Sequence, residues 1–347
     1  MLSRSLLLAL VLLGGVVSAS AWDAHAHRTV TYLALDLLPP EAPDWLRATD
    51  VRHRLAFQSN QIDRWRGWRA LPLSHLNDPD HYLDAELLEQ FGLTLETMPR
   101  LRREYLKALI IAKHEHPDSV DPYDAGRDPA ATKEWPGFLL HAISEQYALL
   151  QASFCQVQVL ERLNDPARRH QLTQSRELVV YHMGVLAHLV ADATQPLHTT
   201  KHFNGWAGDN PQGYTTDRRF HAYIDGGVVE RHTITYDTLR PLAQAGRAVR
   251  ADDPWDDVRD MFERAFELVE PLYRLERDKE LDGPAGRDLI VGQLVDATEM
   301  LSALWSAAYT SSVPTDEMVE SFVKYNSFRP ELLPAAPRPE PAQPEER

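Results

Sequence analysis

The sequence predicts an all-α fold, a single large multi-helix domain with no significant sheet. Apolar residues recur at helical spacing in successive segments, while no segment shows the alternation that is typical of a half-buried strand. No internal repeat and no glycine-rich phosphate loop interrupts this pattern. Roughly 300 residues suffice for one large domain with a deep core, or for two small ones. We expect one domain, over residues 22–326.

The two ends of the chain differ in composition from this domain. Residues 1–21 combine Arg4, an apolar core and the small-residue pattern Ala19-Ser20-Ala21, which predicts a secretory signal peptide cleaved before Trp22. No later stretch is apolar for long enough to anchor the chain in a bilayer. Residues 327–347 are rich in Pro and Glu, which predicts a disordered tail. The expected product is a secreted or periplasmic protein.

Helical spacing predicts the elements in order. The first helix follows the N-terminus directly, with His25 and His27 just ahead of it, and ends before Pro39-Pro40. Between Trp255 and Ser312 two further amphipathic helices supply packing surfaces. The segments between these are predicted as helices over 51–68, 99–116, 131–163 (where Pro136-Gly137 permits a break), 177–190 (continuing until Gln195-Pro196 stops it) and 218–232.

The segment YHMGVLAHLVADATQPLHTTKH contains the spacing H-x3-D-x5-H, formed by His188, Asp192 and His198. His188 and Asp192 lie about 40° apart around a helix, so both side chains leave the same face. The surrounding helix is apolar, and an unpaired carboxylate in a core is costly, so Asp192 requires a cation. A buried His–Asp pair without metal is the simpler alternative for one such motif.

A second H-x3-D spacing, His221 and Asp225, follows an aromatic loop over residues 199–217. Two such pairs that flank one loop favour a shared metal centre over two independent structural pairs. Long loops inside compact domains are usually functional, so we expect Phe203 and Trp206 to form part of a substrate-binding wall.

The composition restricts the metal and the partners. Cys155 is the only cysteine, so the ligands must be nitrogen and oxygen atoms, which points first to zinc. The formal charge of -15 argues against a broad basic footprint for duplex nucleic acid. Three divalent ions held by three carboxylates would still leave one pocket positive enough to attract a phosphate. Nothing in the sequence calls for an obligate protein partner.

The full set of candidate ligands resembles a known trinuclear zinc site. It is similar to the site of the superfamily that joins bacterial zinc-dependent phospholipases C to fungal and plant single-strand-specific nucleases of the S-one/P-one type, over residues 22 to about 310. One ligand of that family is the amino group of an N-terminal Trp, which cleavage would expose here. The candidates are Trp22, His27, Asp63, His81, His188, Asp192, His198, His221 and Asp225. Spacing alone leaves His25 as an alternative to His27.

The resemblance implies three zinc ions and a reaction. One ion would be held by Asp63, His81, His188 and Asp192. A second would take the amino and carbonyl groups of Trp22 with His27 and share Asp192, and a third would take His198, His221 and Asp225. Two zinc ions that share a water lower its pKa toward ~7, so that hydroxide attacks phosphorus while the third ion stabilises the leaving oxygen. Asp63 and Asp192 would be catalytic through these metals.

Arg66 matches a family position that contacts the phosphate, and we assign it a catalytic role. A surface salt bridge with Asp63 is the alternative role. The stretch HYLD resembles the nuclease pattern in which an aromatic ring, here Tyr82, stacks on a base and an acid, here Asp84, binds the base edge. Tyr82 could instead be packing.

The nuclease branch is favoured by the short spacing from Trp22 to His27, by the sequence HRTVTYLA and by Asp rather than Glu at position 225. Ile224, where nucleases usually carry Trp, and the absence of disulfides depart from that branch. The primary expectation is therefore a zinc phosphodiesterase that cleaves single-stranded nucleic acid. The alternatives are a phospholipase C acting on phospholipid head groups and a non-catalytic helical protein with structural zinc.

Overall fold

A computed structural model describes residues 22–326 of the chain. These residues are predominantly helical and contain no strand, only an isolated bridge between Leu83 and Gly137. The prediction of an all-α fold is confirmed. The expected signal peptide and tail lie outside the described residues. No helix of the described part is both long enough and apolar enough to cross a membrane.

The helices are α1 Ala24–Asp36, α2 Thr49–Gln58, α3 Gln61–Arg66, α4 Leu71–Asn77, α5 Arg102–Glu115, α6 Leu139–Leu163, α7 Arg169–Ala193, α8 Phe220–Ala222, α9 Val228–Arg231, α10 Tyr236–Leu239, α11 Trp255–Glu267, α12 Val269–Arg277, α13 Pro284–Ser311 and α14 Asp316–Tyr325. A π-helical turn, Tyr223–Gly227, joins α8 to α9. Short 3₁₀ turns lie at Asp44–Arg47, Asp78–His81, Ala85–Phe91, Pro117–Ser119, Pro166–Arg168 and Pro196–His198.

Helix α7 is the centre of the fold and packs against α1, α2, α6 and α13. Many of its apolar residues, among them Met183, Leu186 and Val190, are fully buried. Gly184 allows α2 to approach closely, because a Cβ there would lie 2.3 Å from the Cβ of Gln58. Helix α7 ends at Ala193, just before Gln195-Pro196, as predicted.

Two predicted helices are each divided in the structure. The 51–68 helix breaks at Ser59 and Asn60, where the backbone of Asn60 leaves the helical region (φ -113°, ψ 17°). The helix that begins at Trp255 breaks at Leu268, between α11 and α12. Pro271 accounts for this second break, because its ring clashes with the carbonyl four residues earlier, at Glu267, and it has no N–H to donate.

Two predicted boundaries were also wrong. His25 and His27 lie inside α1, because the Asp23 carboxylate caps this helix by accepting hydrogen bonds from the backbone N–H groups of His25 and Ala26 at 3.0 and 2.9 Å. The predicted 131–163 helix begins only at Leu139. Gly137 has φ +115°, and a Cβ there would lie 2.1 Å from the backbone oxygen of Tyr82, so residues before Leu139 form a loop pressed against Tyr82.

Candidate metal centre

Three groups of His and Asp side chains in the described residues can hold metal ions. Within each group one ligand atom per residue lies within 4.8 Å of the others. We call the first two, which share His188, the deep centre, and the third the outer group. The groups are His27, Asp63 and His188; His81, His188 and Asp192; and His198, His221 and Asp225.

Asp192 lies at the middle of the deep centre and is completely buried. One carboxylate oxygen, Oδ1, is 3.5 Å from His27 Nε2. The other, Oδ2, is 3.0 Å from His81 Nδ1 and 3.3 Å from His188 Nε2. The two oxygens of Asp192 therefore face different imidazoles, an arrangement that fits the shared ligand that the resemblance implies.

The break between α2 and α3 orients His188. Its Nδ1 donates to the backbone oxygen of Ser59 at 2.7 Å, so Nε2 points at Asp192. A backbone carbonyl that fixes the other ring nitrogen is a common support for a metal-binding imidazole. Asp63, in the first turn of α3, then lies with Oδ1 3.8 Å from His188 Nε2. The break thus supplies both a carbonyl and a carboxylate to the site.

His27 reaches the deep centre from α1 and is 1% exposed. Its ring stacks on that of His188, with centroids 4.0 Å apart and planes 13° from parallel. The structure groups it with Asp63 and His188, whereas the resemblance assigns it with Trp22 and Asp192 to a separate ion. His25 is exposed, so of the two alternatives His27 is the one at the site.

The outer group is built on two irregular turns. His198 ends the 3₁₀ turn after Pro196 and donates from Nδ1 to the backbone oxygen of His81 at 2.6 Å, which ties it to the deep centre. Asp225 lies in the π-helical turn, with Oδ2 3.4 Å from His221 Nε2. Gln195 donates to the other oxygen, Oδ1, at 2.7 Å. Single π-turns are rare and frequently occur at functional sites.

Eight buried side-chain atoms of these groups have no hydrogen-bond partner within the described residues. Buried polar groups are nearly always paired, and each exception calls for an explanation. A bound metal supplies one for six of these atoms, one on each predicted ligand, but not for the second ring nitrogen of His27 and of His221. The donor set therefore fits a metal. The atoms are Nδ1 and Nε2 of His27, Oδ1 of Asp63, Oδ1 of Asp192, Nε2 of His198, Nδ1 and Nε2 of His221 and Oδ2 of Asp225.

Protonation differs between the two centres. Burial alone would raise the pKa of Asp192, but His188 and His198 outweigh burial and hold this pKa well below its usual range. Burial would lower the pKa of His188, yet Asp192 and Asp63 raise it to about 9. In the outer group burial prevails: it raises the pKa of Asp225 well above the ordinary value and lowers that of His221 well below.

Trp22 and Asp23 bring the predicted mature N-terminus to this site. The buried indole of Trp22 donates from Nε1 to the backbone oxygen of Ala191 at 3.0 Å, next to Asp192. The backbone N–H of Asp23 donates to the backbone oxygen of Asp225 at 3.2 Å. In the unprocessed chain the Trp22 nitrogen is an amide, so its role as a ligand stays a prediction that depends on cleavage.

A cavity of about 550 Å³ opens onto both centres and is lined by His81, His198 and His221 among others. Arg66, from the end of α3, lines the same cavity. Its Nη1 lies 3.5 Å from Asp63 Oδ1 and its Nε 4.0 Å from Asp78 Oδ1, and the side chain is 25% exposed. Arg66 is thus held beside the ligands but remains open to the cavity.

Tyr82, Asp84 and Phe203, which are predicted to bind substrate, line the cavity. Sequence reasoning missed Lys133, whose Nζ lies 4.0 Å from the ring centroid of Tyr82 and 4.4 Å from that of Phe203. Lys133 as a whole residue is exposed, but protein atoms surround its ammonium group. This burial of the charged group lowers the pKa of Lys133. Burial raises the pKa of Asp84 to about 7, against the opposing charge of Lys133.

Trp206 belongs to the aromatic loop but, unlike Phe203, is not among the residues that line the cavity. Its ring stacks on His202 at 3.8 Å and 6°, and it meets Tyr273 edge-on at 5.2 Å. Its Nε1 donates to the backbone oxygen of Asp209 at 2.8 Å. These contacts give Trp206 a part in shaping the loop that carries Phe203.

Comparison with known proteins found no matching family model and no matching curated protein.

Proposed function

We propose that this chain is a secreted zinc-dependent phosphodiester hydrolase of the superfamily that it resembles, cleaved before Trp22 and acting on single-stranded nucleic acid. The observation that carries the proposal is a set of three neighbouring His/Asp groups, two of which contribute residues to one cavity that is also lined by a guanidinium. Protein pockets that pair metal ligands with Arg are suited to phosphate.

The choice of zinc rests on the donor atoms. The three groups contain five imidazoles and three carboxylates, the ligand types that zinc prefers when thiolates are absent. The outer group supplies three protein ligands, which leaves a position for water or substrate, whereas structural zinc sites are usually closed by four. Bound zinc supplies activation of water and stabilisation of the leaving oxygen.

The protein's own contribution is to place and neutralise the phosphate. Asp63 and Asp78 flank the Arg66 guanidinium, so its remaining N–H groups are oriented toward the cavity. A guanidinium can donate two parallel hydrogen bonds to a phosphate and offset the charge that develops in the transition state. The ammonium of Lys133 adds a second positive group to the lining of the same cavity.

The cavity wall supports a nucleobase over a choline head group. Aromatic rings attract cations, and Tyr82 and Phe203 form such a pair. Here the ammonium of Lys133 already lies against both rings, so a quaternary ammonium would meet a like charge. The rings can stack on a base, and Asp84 can accept hydrogen bonds from the N–H groups of the base edge.

Phospholipase C activity remains the second candidate because of that same aromatic pair. Replacing Lys133 with Ala separates the two functions: a nuclease should lose affinity for the strand, about fivefold in KM, as one phosphate or base contact is lost. Hydrolysis of phosphatidylcholine by the wild type, increased in the Lys133→Ala variant, would contradict the nuclease proposal. The matched control is Lys107→Ala, a lysine on the exposed face of α5 paired only with Glu104.

The decisive experiment combines metal content with a substrate panel on protein processed at Trp22. We expect about three zinc ions per chain, from the three groups, and cleavage of single-stranded DNA and RNA. Full zinc content without hydrolysis of either nucleic acid or phospholipid would instead establish the third possibility, a helical protein with structural zinc.

A further inference from the structure

An exposed surface of arginine and aromatic side chains follows the cavity-lining Arg66. We define the basic aromatic surface as Phe57, Arg64, Trp68 and Arg69. Trp68 is 74% exposed and Phe57 53% exposed, and both arginines are exposed. Within the described residues the indole of Trp68 has no ring contact or side-chain hydrogen bond, and Arg69 has no ion pair. Large side chains so exposed are candidates for contact with a partner.

The basic aromatic surface begins at the cavity wall. Arg66 lines the cavity and ends α3, and Trp68 follows two residues later, so their Cα atoms are at most about 7.6 Å apart. The backbone N–H of Trp68 donates to the oxygen of Trp65 at 2.9 Å, which holds this turn in place. A long substrate that leaves the cavity past Arg66 would therefore meet Trp68 next.

The charge of this surface is opposite to that of the chain. Residues 61–77 contain Arg64, Arg66 and Arg69 but only one acid, Asp63, whereas the whole chain has a formal charge of -15. Burial and the nearby charge of Arg28 lower the pKa of Arg64, which places a fourth guanidinium close to the surface. Guanidiniums crowded in this way on an acidic protein complement a polyanion.

The arrangement of rings and guanidiniums indicates which polyanion. The Arg64 guanidinium lies 3.8 Å from the ring centroid of Phe57, and a guanidinium so placed offers a base a flat stacking surface. Leu71 and Leu76 are also exposed, at 55% and 63%, and would suit a lipid surface. Helix α4, which carries both leucines, has only seven residues, too few to lay an amphipathic face into a membrane.

We infer that the basic aromatic surface binds the single-stranded nucleic acid that flanks the scissile phosphodiester, with bases on Trp68 and Arg64 and phosphates on the arginines. The inference rests on the proposed function and extends it from the cavity to the strand beyond. We expect a dinucleotide to contact mainly the cavity, whereas a dodecanucleotide is long enough to reach the surface as well. Chain-length preference is therefore the property that this surface controls.

The test compares kcat/KM for a dinucleotide and a dodecanucleotide in the zinc-loaded wild type and in Trp68→Ala and Arg69→Gln. We expect each variant to lose at least about fivefold on the dodecanucleotide through KM, and less than about twofold on the dinucleotide. Arg69→Gln should also reduce the salt dependence for the long substrate, by about 0.7 in the logarithmic slope.

Tyr325→Ala is the matched control. Tyr325 is 76% exposed, and its helix α14 lies where Arg162, near the end of α6, pairs with Asp316. The other end of α6 begins at Leu139, whose backbone N–H donates to the backbone oxygen of Tyr82 at the cavity. Because the 25 residues of α6 span about 37 Å, α14 lies at the end of α6 that is distant from the cavity. This variant should match the wild type on both substrates. Equal losses on both substrates in Trp68→Ala, or no loss on either, would overturn the inference.

Failure of the proposed function would appear separately. If the zinc-loaded protein hydrolyses nothing, fluorescence anisotropy of a labelled dodecanucleotide still measures binding, and loss of binding in Trp68→Ala still supports the surface. Absence of binding in the wild type would overturn it. A third outcome would favour a lipid surface and overturn the inference: the wild type binds vesicles of phosphatidylglycerol and phosphatidylcholine, Trp68→Ala loses that binding, and oligonucleotide binding is unchanged in the variant.

Discussion

The deep centre and the outer group contain the same chemical groups but hold their charges differently. In the deep centre a buried carboxylate, Asp192, lies among imidazoles that lower its pKa, and in return it raises that of His188 to about 9. In the outer group burial raises the pKa of Asp225 and lowers that of His221. Without metal, the deep centre favours an ion pair and the outer group a neutral pair.

The difference determines what a metal must displace. Metal ligands bind as carboxylate and neutral imidazole. An ion entering the deep centre must displace a proton from His188, whereas an ion entering the outer group must displace one from Asp225. The positions also differ, because His198 and His221 line the cavity while His188 and Asp192 are completely buried behind it. The outer group is therefore the part that substrate can approach directly.

Replacing Asp192 with Asn should have the largest effect. The variant keeps the shape but loses the carboxylate charge that faces His27 through one oxygen and His81 and His188 through the other. The resemblance implies that two zinc ions would share this carboxylate, so we expect loss of two zinc ions and at least about 10³-fold in kcat/KM, equivalent to roughly 4 kcal/mol. Metal analysis and phosphodiesterase assays measure this. Asp80→Asn is the control, since Asp80 pairs with Arg102 outside the groups. Wild-type turnover in Asp192→Asn would show that no metal is shared there.

Replacing Asp225 with Asn should affect the outer group alone. The amide oxygen can still accept the hydrogen bond from Gln195, so the fold should persist. We expect loss of one zinc ion with two retained, and a decrease in kcat of about 10²-fold, the usual cost of removing one source of transition-state stabilisation. Loss of all three ions would mean that the two centres bind metal as one unit, and the comparison between them would fail.

Acidification should weaken zinc binding in the deep centre by about tenfold per pH unit below pH 9. The pKa of His188 is raised to about 9, so the protonated form, which cannot bind metal, predominates below that pH. Between pH 8 and pH 6 the affinity should therefore decrease about 10²-fold. Competition with a chelator in the Asp225→Asn variant, which should lack the ion of the outer group, measures the zinc affinity of the deep centre by itself. An affinity unchanged over that range would contradict the ion-pair description.

The helical pattern made the ligands on α7 predictable, because His188 and Asp192 lie one turn apart on a face that is otherwise apolar. It also predicted His221 and Asp225, although the π-helical turn between them could not be read from the sequence. Lys133 gave no signal, since it lies in a loop without periodicity and its contacts are tertiary, 51 residues from Tyr82 and 70 from Phe203.

The division of α2 from α3 was equally invisible to periodicity, because helical spacing continues through Ser59 and Asn60. The reason for the break is tertiary: the Ser59 carbonyl bonds to His188. Helix α7 can be this close only because residue 184 is Gly. Periodicity therefore predicted which side chains face the core, while the supports that orient them depend on contacts distant in sequence.

The smallest effect should come from the start of the chain, and it tests whether the deep centre has a further ligand. Protein beginning at Trp22 would carry a free amine on the residue whose indole bonds to the backbone oxygen of Ala191, the neighbour of Asp192 in the sequence. A form with Met before Trp22 lacks that amine, and we expect about tenfold weaker binding of one zinc ion, as for loss of a supporting interaction. Trp22→Phe, correctly processed, is the control, because it keeps the amine and loses only the indole N–H. Equal zinc content and equal activity in the Met-extended and processed forms would remove Trp22 from the site and leave the deep centre to His27, Asp63, His81, His188 and Asp192 alone.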